Sequence, residues 1–131
     1  MYFYATKAAL KNDANDEIAL NAEHFNSLLE NGDASELYYM RKENAVHGFI
    51  ADDYFESGGM DDGFNCVFYG ITHLIEPLKQ ACQNKELVPR NGFFFGSSNP
   101  DDINYDNIMD FVEQAEQAIK DGNEIIYWAW Y

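Results

Sequence analysis

In a chain of 131 residues with only eight Lys and Arg, the segment Arg41-Lys42-Glu43-Asn44-Ala45-Val46-His47 gathers the side chains best suited to holding a ligand. An arginine can grip a carboxylate or phosphate through two parallel N–H bonds. An asparagine both donates and accepts, and an imidazole changes charge near neutrality. Arg41, Asn44 and His47 step by three, so on a helix they lie on one side, spread over about 120°. That spacing makes them a candidate grip for an anion or small ligand. A competing structural reading pairs Arg41 with local carboxylates and uses Asn44 and His47 to tie loop backbone to the helix.

The second constellation is acidic. Asp106, Asp110, Glu113 and Gln117 fall within about 60° of one another on a predicted helix, opposite its apolar stripe. Glu116 flanks them, and no basic residue joins until Lys120. Carboxylates recurring at about 5–6 Å, once per turn, can stand in for phosphates against a basic groove. The competing reading is an ordinary solvated helix face.

Other templates fail. There is no HExxH, GxGxxG, Walker or GxSxG pattern, and Gly96-Ser97-Ser98 lacks the second glycine of a nucleophile turn. Asp13-Ala14-Asn15 opens like a calcium loop, but no glycine or closing Glu completes it. His24, His47 and His73 fall on three different predicted helices. The expectation is therefore no metal, no cofactor and no catalytic residue.

These side chains need elements to position them. Tyr2-Phe3-Tyr4 reads as a strand. After a polar break from Lys11 to Asp16, the helical spacing of Ile18, Ala22, Phe25 and Leu29 predicts a helix stopped by Asn31-Gly32. Asp33 or Ser35 then caps a second helix running to about Ala51, striped by Tyr39, Val46, Phe49 and Ile50 with Leu37 and Met40 alongside. A turn-rich loop holding Ser57-Gly58-Gly59 and Asp61-Asp62-Gly63 leads to a short strand, Cys66-Val67-Phe68-Tyr69. Ile71, Leu74, Ile75, Leu78 and Cys82 predict a third helix, which either starts late with Pro77 in its first turn or kinks there. Phe93-Phe94-Phe95 reads as a buried strand, and the residues from Ser97 to Asp102 as a capping loop. The last helix carries the stripe Ile108, Phe111, Val112, Ala115 and Ile119 and ends before Gly122; the segment from Ile125 to Tyr131 is the last strand. The order predicts one α+β domain spanning residues 1–131, an antiparallel or mixed sheet with three to four helices packed on it.

Composition narrows the class. The chain is 47% hydrophobic and 16% aromatic, enough for a core and too rich for a disordered acidic tail. Its longest apolar runs fall far below the roughly 20 residues that span a bilayer, and no signal-peptide pattern follows Met1. Cys66 and Cys82 read as two reduced, buried thiols, with a single disulfide as the alternative. Twenty-three Asp and Glu give a net charge of −15. That field opposes direct binding to nucleic acid or membrane and favours a basic protein partner, with solubility alone as the competing reading.

From Tyr38 onward the chain resembles a family of small proteins encoded by bacteriophages and prophages, one with no assigned activity. The resemblance rests on the block from Tyr39 to Phe49, the Asp61-Asp62-Gly63 turn, the block from Leu87 to Ser98, and the aromatic end with Tyr127, Trp128 and Trp130. It implies a setting, the cytoplasm of an infected or lysogenic bacterium, and carries over no catalytic role. In that setting a small acidic protein is expected to be a non-enzymatic accessory that binds and modulates a host protein, as an inhibitor of a nucleic-acid-handling or defence system would. The alternatives are a small-ligand binder or small enzyme using Arg41, Asn44 and His47, and an immunity or antitoxin protein.

Overall fold

A computed structural model describes residues 1–90 and 103–130. The predicted strand at Phe93, Phe94 and Phe95 and the loop from Ser97 to Asp102 lie outside the described residues, as does Tyr131.

The fold is α+β. Among the described residues four strands, β1 (Tyr2–Thr6), β2 (Ala34–Tyr39), β3 (Tyr69–Gly70) and β4 (Glu124–Trp128), form one sheet in the order β2-β1-β4-β3, with each of these pairings antiparallel. Four α-helices among the described residues accompany it: α1 (Ala22–Glu30), α2 (Asn44–Glu56), α3 (Ile75–Gln83) and α4 (Tyr105–Lys120). The two central strands, β1 and β4, are far apart in sequence, so the middle of the sheet depends on long-range pairing.

The pleat sends alternate side chains to opposite faces. On one face Phe3, Ile125 and Tyr127 join the main core with Ile108, Phe111, Val112 and Ala115 of α4 and Ala45, Val46, Ile50 and Tyr54 of α2. On the other, Tyr4 and Ile126 pack under α1 with Phe25, Leu28 and Phe68 as a smaller cluster.

Local signals account for most boundaries. The Asn21 side chain caps α1 by accepting from the His24 N–H at 2.8 Å, and α1 ends before Gly32 at φ +78°. The helix therefore begins four residues after Ile18. A 3-10 turn at Thr72–Leu74 precedes α3, which puts Pro77 in the first turn of α3, where its missing N–H costs nothing. Asn104 caps α4, accepting from the Asn107 N–H at 3.0 Å, and Gly122 follows its end at φ +94°.

Three expectations are corrected. Residues 35–51 do not form one helix: residues up to Tyr39 are strand β2, and α2 starts only at Asn44. Neither Asp33 nor Ser35 is a helix cap. The stripe misleads because Leu37, Tyr38 and Tyr39 suit a strand as well, and pairing with β1 decides between the two. The strand expected from Cys66 to Tyr69 shrinks to Tyr69–Gly70, since Cys66 sits at φ +59°. Both cysteines are free, but only Cys82 is buried; Cys66 is exposed.

Candidate functional site

The redrawn boundary splits the basic segment. Arg41 and Lys42 lie in the connection between β2 and α2, with Lys42 at φ +53°. Asn44 and His47 lie in the first two turns of α2, where Asn44 to Gly48 are all buried. Arg41 is exposed. The three side chains thus do not share one helix face, and Arg41 meets different surroundings from the other two.

His47 is a core residue. It is fully buried, and its Nδ1 lies 2.6 Å from the Tyr127 hydroxyl on β4. Its ring packs against Phe64 and Tyr127. Burial, then the positive charges of the N-terminal amine and Arg90, push its pKa down to about 3. The imidazole is therefore neutral across the physiological range and is no charge switch there. Arg90 forms a fork with Asp52 of α2, at 2.9 and 3.1 Å. It lies so close over α2 that a Cβ at Gly48 would come within 2.8 Å of its side chain. The absence of a side chain at Gly48 is what lets Arg90 lie there.

Arg41 has other neighbours. The ends of β1, β2 and β4 meet at one corner of the sheet, and cross-strand register sets Tyr39, Tyr2 and Trp128 side by side there. Tyr2 lies 5.0 Å from Tyr39 and 5.9 Å from Trp128, ring centre to ring centre. With Met1, Arg41, Lys42 and Trp130 they line a groove of about 400 Å³. Trp130 is 71% exposed and Tyr39 49%. Among the described residues Arg41 has no ion-pair or hydrogen-bond partner. Sequence reasoning found Arg41 but missed the aromatic rings around it. Their alternation in Tyr2-Phe3-Tyr4 was a usable signal, but which strand lay beside them was not.

On α4, Asp106, Asp110 and Glu113 are exposed, and among the described residues none has an ion-pair partner. Glu116 differs. Lys79 of α3 reaches it at 3.1 Å, so the row is neutralised at its C-terminal end by a residue far away in sequence. At the other end Tyr38 of β2 donates to the side-chain oxygen of Asn107. Burial, then the Asp110 charge, raises the Tyr38 hydroxyl above the ordinary tyrosine range.

Two further polar clusters serve the fold. Asp16 accepts from the Tyr54 hydroxyl and from the N–H groups of Ile18 and Met60, at 3.1 and 3.2 Å. The Tyr54 hydroxyl in turn accepts from the Asp61 N–H at 2.9 Å. This clamp pins the glycine-rich loop; burial and the Asp16 hydrogen bond push Tyr54 up to about 12. Nearby, Asp53 accepts from Tyr69 and lies 2.7 Å from Nε2 of the exposed His73. His24, His47 and His73 sit on separate elements, and among the described residues no three His, Cys, Asp or Glu side chains are placed to hold a metal ion. No helix among them is long and apolar enough to cross a membrane.

Comparison of the chain with protein-family models, curated proteins and solved structures finds no match.

Proposed function

We propose that this chain is a non-enzymatic accessory protein of a phage or prophage that binds and modulates a host protein. In this reading the exposed carboxylates of α4 meet a basic, nucleic-acid-handling surface in the bacterial cytoplasm. The observation that carries it is the row Asp106, Asp110 and Glu113, unpaired among the described residues. The row is rigid because the opposite side of α4 is buried in the main core. Charges held on a fixed helix lose little entropy on docking, and a field of this sign speeds encounter with a basic partner. Glu116, held by Lys79, belongs to the edge of that row rather than its centre.

Reversing Asp106, Asp110 and Glu113 together to Lys tests the reading. Captured from host lysate, wild type should retain basic proteins that the triple variant loses, and raising salt should weaken the capture, since exposed charges are screened over about 8–10 Å. The same set of partners on both proteins, at low and high salt alike, would overturn the reading. The groove around Arg41 favours a second reading, a small-ligand binder, in which buried Asn44 and His47 take no direct part.

A further inference from the structure

The groove at the sheet corner is chemically unlike the rest of the surface. Arg41 and Lys42 are two of only eight basic residues in a chain of net charge −15, and they stand together beside Tyr2, Tyr39, Trp128 and Trp130. Open aromatic faces on a sheet offer stacking surfaces for planar rings. An arginine with no ion-pair or hydrogen-bond partner among the described residues keeps its full bidentate capacity for an oxyanion. About 400 Å³ is the size of a small-molecule site.

We propose that this groove binds a nucleoside phosphate, its base stacked among the Tyr2, Tyr39 and tryptophan rings and its phosphate held by Arg41 with Lys42 alongside. Charge decides between a free nucleotide and a strand. Arg41 can hold one phosphate, whereas the chain's net charge of −15 opposes each further phosphate of a strand. A small nucleotide is therefore favoured over a polynucleotide. This inference is independent of the acidic row on α4.

Both tryptophans of the chain line the groove, so their fluorescence and indole N–H resonances report on it directly. AMP should quench the emission saturably and shift both indole signals. Adenosine should bind at least about tenfold more weakly, a difference of about 1.4 kcal/mol. Inorganic phosphate alone should leave the emission unchanged. Arg41→Ala should weaken AMP by about tenfold or more with the melting temperature unchanged, and Arg41→Lys should recover part of the loss, because an ammonium keeps the charge without the fork. Absence of saturable quenching by AMP would overturn the proposal, as would equal binding by Arg41→Ala. A 5′-phosphorylated hexanucleotide binding more tightly than AMP would overturn the assignment to a free nucleotide. A short acidic peptide such as acetyl-Glu-Trp-Glu-amide shifting the indoles while AMP does not would assign the groove to a peptide instead.

Discussion

Two rows of aromatic residues cross the sheet one position apart, and they have opposite fates. Tyr38, Phe3, Tyr127 and Tyr69 are neighbours across all four strands on one face; Tyr39, Tyr2 and Trp128 are neighbours across three strands on the other. In composition the rows are alike. The first is roofed by α2 and α4, with Phe3 against Phe111 at 4.1 Å and Tyr127 against Phe64 and His47. Over the second face α1 covers only the end holding Tyr4 and Ile126, leaving the Tyr2 corner as an open groove beside Arg41. Aromatic content by itself therefore does not say core or site. What separates the rows is which helix the connections bring over each face.

Truncations in the two rows should separate most. Phe3→Ala removes a fully buried ring and should cost about 3–5 kcal/mol in denaturant unfolding. Tyr2→Ala, at the half-buried neighbouring position, should cost about 1 kcal/mol. Equal losses would mean that the second row is as structural as the first.

Acid should then pick out the roofed row. His47 has a folded pKa of about 3, below its ordinary 6.5. Between those values the unfolded chain binds a proton that the fold excludes. Its contribution is thus complete above about pH 6.5 and declines as pH falls through that window, by at most about 1.4 kcal/mol per pH unit. His47→Gln has no such proton. The stability gap between wild type and His47→Gln should therefore shrink steadily from pH 6.5 to about pH 4. A constant gap would show that the imidazole is not held neutral by its surroundings.

Smaller effects belong to the open surfaces. Trp130→Ala should change stability by no more than about 0.5 kcal/mol, because the ring is mostly in water. A larger loss would make the groove part of the packing. On α4, Asp110→Lys should be tolerated within about 0.5 kcal/mol. Glu116→Lys should melt lower than Asp110→Lys, since it sets a second ammonium against Lys79. Identical melting temperatures would remove the distinction between the paired and unpaired ends of the row.

Much of this molecule was legible locally. The stripe on α4, the aromatic strands β1 and β4 and the glycine stops after α1 and α4 all follow from short-range sterics and periodicity, whereas Pro77 leaves a late start and a kink both open until the start of α3 at Ile75 decides between them. These signals need no knowledge of a distant partner. The same holds for the acidic row as a sequence pattern and for Arg41 as a ligand-holding cation.

Contacts between distant residues decided the rest. Residues 34–39 carry a pattern that fits helix or strand, and only pairing with β1 makes them β2. That single choice moves Arg41 off the helix and onto the aromatic corner, while Asn44 and His47 go into the core. Lys79 meets Glu116 because α3 packs along α4, across a separation no periodicity encodes. Charge, size and spacing along the chain set what each side chain can do. Which partner it meets depends on nonlocal strand pairing and helix packing, whose free energy is not written in any one segment.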